Sequence, residues 1–407
     1  MPGGQPTTAQ PSGAAEVRRA RHTAVLLGCV FPLLAGLALY GWCAVATVCL
    51  TVVCTLPAVR IWRQVGLRGG LLRVRDALLP AVLLAMMLPG DLPVAGGSQA
   101  SALGRLAAIP AAALLLAMLM WLGAGAAHVR LHPVLCAWLV VAALGGRELQ
   151  PHAVLHRLRA LTGDLGRQMS SSAVPSGEDP WIRWRWRPAA DAVRYEETAA
   201  RRLGMYTSPW RSTPPPWHSV EALLRDAMPP MEDLVVGGHP GPLGASSAIA
   251  VLVGGLFMLY RRATDLRVPL VGIGAAFLGF LVLPVPVLTG AEQTQWRPLF
   301  LPRAHIDLAT MLTFVNYQML ASPLLLAAFY LAPLSGIAPR RPAARTVYAV
   351  LFGLGAAACQ MYLWCEGGPY AALFLATQLV PWLDRALPAR RRNISTAPGP
   401  AEVCPPV

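Results

Sequence analysis

Apolar residues in this chain do not alternate with polar ones at a strand's period. They come in blocks, separated by short polar or basic breaks. Ten blocks stand at residues 24–41, 43–60, 76–90, 104–126, 132–146, 246–262, 267–289, 308–333, 345–363 and 368–387. Several reach the ~20 residues that carry a helix across hydrocarbon. The pattern predicts an all-α polytopic membrane protein with ten transmembrane helices. Five lie before the long segment 147–245 and five after it. Five crossings is an odd number, so the second half starts on the opposite side of the membrane. Related halves would therefore form a 5+5 inverted repeat with a long extracytoplasmic loop.

The boundaries follow from the blocks. Residues 1–22 and 389–407 are small, polar and Pro-rich and are expected to be disordered. Residues 23–146 form the first five-helix repeat, 147–245 the loop and 246–388 the second repeat. The first block leads after Tyr40-Gly41 straight into a second, with no small-residue cleavage site. It is expected to stay as a helix rather than leave as a signal peptide. Two blocks carry a matched feature. Leu78–Asp91 (LLPAVLLAMMLPGD) has prolines nine residues apart, and Leu320–Gly336 (LASPLLLAAFYLAPLSG) has them ten apart. Proline removes a helical donor. Each pair marks either plain helix ends or a break facing a cavity.

Composition agrees: 55% of the 407 residues are hydrophobic and 13% charged, about half the charge of a soluble protein. The formal charge of +14 would point to nucleic acid, but its distribution does not. All 34 basic residues are arginine. With a cytoplasmic N-terminus, 19 lie inside, three (Arg105, Arg297, Arg303) in short outside loops and 12 in 147–245. That asymmetry is the positive-inside signature. It places both termini in the cytoplasm, makes the lipid bilayer the partner of the basic residues, and leaves no nucleic-acid role. The ionisable residues noted near the membrane, Asp76, Glu292, Asp307, Glu366 and Asp384, sit at block ends, so no mid-membrane relay is visible. The eight cysteines have no metal-ligand spacing and read as small hydrophobes. Only Cys359 and Cys365 are left open for disulfide or iron–sulfur chemistry.

The stretch His239–Tyr260 (HPGPLGASSAIAVLVGGLFMLY) runs from a Gly/Pro/Ser loop directly into an apolar block. Ser246 or Ser247 suits an N-cap. Gly241 and Gly244 allow another chain or a ligand close to the backbone. A helix start there favours an anion or a polar ring edge. The loop is either a ligand site or a helix entrance satisfying its own polar groups. In the loop before it, Val154–Met169 is amphipathic, and Trp181–Pro188 (WIRWRWRP) alternates Trp and Arg as an interfacial segment or a strand would.

Five segments, in order, resemble one family: PLLAGLALYGWCAVATVCL with RVRDALLPAVLLAMMLP; LGAGAAHVRLHPVLCAWLVVAAL; GGHPGPLGASSAIAVLVGGLFMLYRRATDLRVPL; ASPLLLAAFYLAP; and RTVYAVLFGLGAAACQMYLWCEGGPYAALFLATQLVPWLDRAL. The family is that of RnfD and NqrB. RnfD is a membrane component of the Rnf ferredoxin:NAD oxidoreductase, and NqrB is one of the sodium-translocating NADH:quinone reductase. The likeness covers most of residues 24–387. It implies an inner-membrane subunit of an ion-translocating electron transport complex, relaying electrons between the other subunits of that complex. As an enzyme it would be at most one subunit of a redox-driven translocase. The implied cofactor is FMN joined by its phosphate to a threonine, with riboflavin as the alternative.

In RRLGMYTSPW (Arg201–Trp210) the resemblance puts that hydroxyl at Thr207 or Ser208. It makes Gly241, Gly244 and Ser246 candidates for the flavin's phosphate, ribityl chain or ring edge. The chain departs from the family at four points. Arginine replaces the acidic residue of the acceptor motif. Ala245 stands where glutamate is usual. The eighth block exits as LAP without its acid. His132-Pro133 stands for Asn-Pro. The acceptor's departures favour flavin held without a covalent link, Arg201 or Arg202 pairing with its phosphate. A scaffold subunit without flavin and an inverted-repeat transporter for small solutes are the alternatives.

Overall fold

The computed structural model describes residues 13–65, 77–89, 108–120, 132–145, 231–237, 241–289, 293–298, 308–334, 337–363 and 367–387. Each of the ten apolar blocks holds a helix: α1 (Gly13–Tyr40), α2 (Trp42–Val65), α3 (Leu78–Met87), α4 (Ala108–Met120), α5 (Pro133–Gly145), and, after a short α6 (Met231–Val236), α7 (Ala248–Tyr260), α8 (Arg267–Val282), α9 (Leu308–Leu320) running into α10 (Leu324–Leu326), α11 (Pro342–Ala358) and α12 (Gly368–Ala386). Among the described residues three spans, Ala20–Tyr40, Ala44–Trp62 and Pro342–Leu363, are long and apolar enough to cross a bilayer alone. Met311–Leu320 with Leu324–Leu331 makes a fourth if the bent pair is one span.

The chain is not wholly α-helical. The block 267–289 stops being a helix at Val282, and Pro284–Thr289 (β1) pairs antiparallel with Gln293–Pro298 (β2), Val285 opposite Arg297 and Val287 opposite Gln295. The reason is local. Leu283 precedes a proline and is extended, with ψ 135°. Pro286 would then break any resumed helix, whereas a two-stranded ribbon has only edges and tolerates both prolines.

Exposed apolar side chains lie in stripes, as they do on helices that face lipid. On α7, Ile249, Val253, Leu256 and Tyr260 are exposed, while Val251, Gly254, Gly255 and Met258 are buried. Close approach supplies the packing that hydrophobicity cannot supply inside lipid. A Cβ at Gly353 of α11 would strike the Gly272 carbonyl of α8, and one at Gly254 of α7 would strike the Gly28 carbonyl of α1. Helices of the two halves also meet. α1 packs on α7. α5 reaches α12 through Trp138 and Tyr370, edge to face at 4.7 Å between ring centroids.

The two stretches that prolines bracket are almost wholly buried. Residues 79–89, except Val82, and 321–333 are buried. α3 is ten residues long, about 15 Å, or half the hydrocarbon thickness. In the eighth block the chain bends by 63° between Leu320 and Leu324. Pro323 has no N–H to offer there, and Ser322 Oγ accepts the Leu324 N–H at 3.3 Å.

Candidate functional site

The site that the sequence singles out is the loop 241–247 at the head of α7, and all of it is buried. α3 ends at Met87 within the protein, so its last carbonyls need partners from elsewhere. The loop supplies them. Leu243 N–H donates to the Leu88 carbonyl and Gly244 N–H to the Met86 carbonyl, both at 2.8 Å. Pro242 bridges Pro89. Unmet carbonyls at the end of one helix meet free amides ahead of another.

Each candidate residue has a partner within the chain. Gly241 exchanges two hydrogen bonds with Tyr40: the hydroxyl donates to its carbonyl at 2.9 Å and accepts its N–H at 3.0 Å. A Cβ at Gly244 would lie 2.5 Å from Met86 Cβ, so the close approach that this glycine permits is made by α3. Ser246 is fully buried, and its hydroxyl donates to the Leu243 carbonyl at 3.1 Å. The N-cap is Ser247, whose Oγ accepts the Ala250 N–H at 3.4 Å. The same hydroxyl donates to the Val235 carbonyl of α6. Gly241 and Ser246 are thus engaged by hydrogen bonds within the chain, and the space above Gly244 is taken by Met86. Thr207 and Ser208, with Arg201 and Arg202, lie outside the described residues.

A second buried polar group sits where α9, α11 and α12 converge. α11 continues as a π-turn, Cys359–Leu363, a geometry that recurs at functional sites. Gln360 Nε2 donates to the Gln318 carbonyl at 2.8 Å and to Gln318 Oε1 at 2.7 Å. Gln360 Oε1 and the Tyr370 hydroxyl are buried with no partner among the described residues. Gly368 lies directly beside this turn, since a Cβ on it would meet the Gln360 N–H. Cys359 is a buried free thiol. No group of histidine, cysteine or carboxylate side chains among the described residues could hold a metal.

At the start of α5, His132 Nδ1 accepts the Leu135 N–H at 3.3 Å. That is the N-cap bond an asparagine oxygen makes, so histidine keeps the cap when asparagine is absent. The NQR2, RnfD, RnfE family model matches residues 11–393. The chain belongs to this family. Membership accounts for the block order and fits a membrane subunit of an Rnf- or Nqr-type complex. No curated protein matches the chain.

Sequence reasoning found the loop but missed what it docks on. Tyr40, Met86 and Tyr330 read as ordinary members of apolar blocks. Tyr330 lies within α10's continuation, and its hydroxyl donates to the Gly28 carbonyl at 3.0 Å. Only the pairing of α1 with α7 turns that tyrosine into a tie between three helices. Asp265 carries no signal in the sequence either; its carboxylate pairs with Arg345 across 2.7 Å.

Proposed function

We propose that this chain is the flavin-bearing membrane subunit of an Rnf/Nqr-type complex, built as ten helices in an inverted 5+5 repeat. Both termini face the cytoplasm, and 147–245 faces outside. The observation that carries the reading is the family match over residues 11–393. The packing of α1 on α7 and α5 on α12, corresponding helices of the two halves, supports the repeat. The flavin, FMN or riboflavin, is placed at Thr207 or Ser208 in the outer loop, where Arg201 and Arg202 pair with its phosphate without a covalent bond. When bound, a flavin supplies one- and two-electron transfer between partner subunits. Loop 241–247 anchors the outer segment to the membrane domain through α6, α3 and Tyr40 rather than cradling the cofactor.

The test is the complex purified from cells that also express a flavin transferase. Flavin absorbance that passes into the supernatant on acid precipitation is the expected result. A fluorescent band on a denaturing gel that disappears in Thr207→Ala or Ser208→Ala would establish the covalent mechanism instead. Absence of flavin in an intact complex would favour the scaffold reading, for which the arginines of the acceptor motif already argue. Topology is tested by Ser171→Cys and Ser395→Cys in a background without native cysteines. An impermeant thiol reagent applied to intact cells labels the first only.

A further inference from the structure

The breaks between helices bring four arginines to one cavity of about 340 Å³. Arg21 comes from α1, Arg262 from the turn after α7, Arg340 from the segment before α11, and Arg345 from α11 itself. Asp265 is the one acidic residue in the wall. It is engaged twice, by Arg345 and by the Arg267 N–H at 3.2 Å. Arg345 is fixed further by its Nε, which donates to the Pro339 carbonyl at 2.8 Å. Among the described residues the side chains of Arg21, Arg262 and Arg340 make no ion pair; the Asp384 carboxylate accepts the Arg340 backbone N–H at 3.0 Å. Residues 1–12 contain no acidic side chain to answer them.

The backbone at Arg262 is a second, independent observation. Helix α7 ends in a Schellman turn: Ala263 N–H donates to the Met258 carbonyl and Arg262 N–H to the Leu259 carbonyl, both at 2.9 Å. The left-handed position of that turn normally takes glycine. Here it holds Arg262 at φ 51°, the one non-glycine residue with positive φ among those described. A charged side chain thus stands at a strained position beside two others of the same charge.

We propose that this cavity binds a phosphate group, with Arg21, Arg262 and Arg340 as its ligands and the Arg345–Asp265 pair as its rigid wall. The favoured source is the headgroup of an anionic phospholipid. Tyr260, Leu266 and Leu270, each within two positions of a lining residue in the chain, are exposed, and acyl chains would lie against them. All four arginines belong to the set that the positive-inside pattern assigns to the cytoplasmic leaflet. Free phosphate shares the chemistry but gains nothing from that apolar border.

The full chain, with whatever subunits co-purify, is delipidated and titrated with short-chain phosphatidylglycerol, short-chain phosphatidylcholine and inorganic phosphate, and retained ligand is read by native mass spectrometry. Phosphatidylglycerol is expected to be retained over phosphatidylcholine, with affinity falling about fivefold for each arginine removed in Arg21→Gln, Arg262→Gln and Arg340→Gln. Arg267→Gln, outside the cavity, leaves it unchanged. Inorganic phosphate that binds with the same arginine dependence supports the site and identifies a soluble source. Arg262→Gly separates binding from folding. It relieves the left-handed strain and should raise the melting temperature of the delipidated protein while weakening retention. Equal retention of both lipids together with no phosphate binding, or full phosphatidylglycerol retention in the triple variant, overturns the proposal.

Discussion

Two proline-bracketed helices, one in each half, carry nearly the same sequence pattern and end differently. Between Pro80 and Pro89 the chain is a regular helix, and its exit is capped by loop 241–247. Between Pro323 and Pro333 there is one residue more, and the chain forms a π-turn over Ala327–Leu331, with Ala332 N–H reaching the Ala327 carbonyl at 2.8 Å. A five-residue hydrogen-bonded step absorbs the extra residue without moving the flanking prolines. Among the described residues, no loop pairs with the second exit. Pro333 borders the arginine-lined cavity. In the proposed repeat, the segment before α1 corresponds to loop 241–247. It instead continues α1 as a helix back to Gly13. One exit is closed by backbone pairing with a loop; at the other, the Leu331 carbonyl accepts the Leu334 N–H at 3.2 Å and the Ala332 carbonyl accepts the Tyr348 hydroxyl at 3.4 Å.

The comparison is broken most severely by deleting Ala328. Both bracketed helices then have the same proline spacing, but the π-turn that sets the direction of Tyr330 is lost. Tyr330 leaves Gly28, and the subunit is expected to fail to accumulate in membranes, as an immunoblot would show. Normal accumulation would mean that the extra residue does not distinguish the two halves.

Gly244→Val tests the closed exit. Its side chain enters the space of Met86, where the backbone-proximal Cβ cannot swing away. The expected cost is about 3 kcal/mol, seen as a lower melting temperature of the purified protein. Adding Met86→Ala should recover part of it, a coupling that two independent sites would not show. Because the fold itself is disturbed, flavin loss in Gly244→Val would say nothing about a ligand at the loop.

Tyr330→Phe sharpens the other side. Losing the hydroxyl's bond to Gly28 should cost about 1 kcal/mol, with no matching effect from any residue of α3, which has no polar side chain at all. A neutral result would remove Tyr330 as the tie between α1, α7 and the π-turn.

The smallest effect is expected at Asp265. Burial pushes its carboxyl up, but the Arg345 guanidinium and the Arg267 amide outweigh that and hold it below the usual carboxylate range. A lowered folded-state pKa means that the pair's contribution is present above the unfolded carboxylate's pKa and is lost as pH falls through the folded one. With both side chains about one third exposed, it stays below about 1 kcal/mol. Melting temperature against pH should fall less steeply on the acid side in Asp265→Asn than in the parent protein.

The apolar blocks, the arginine asymmetry and the proline pairs were legible without coordinates, because lipid imposes length, hydrophobicity and charge placement on a segment whatever it packs against. Hence every block contains a helix, and the family order was visible. Contacts between blocks were not legible. Gly244 looked like room for a ligand, but which atom fills that space depends on α3, about 150 positions earlier in the chain. The strand Pro284–Thr289 hid inside an apolar run because hydropathy does not register a missing proline N–H. Arg21, Arg262, Arg340 and Arg345 read as four separate inside charges. Helix packing alone brings them to one cavity, since linear patterning records each residue's preference for lipid or water but not which residues share a space.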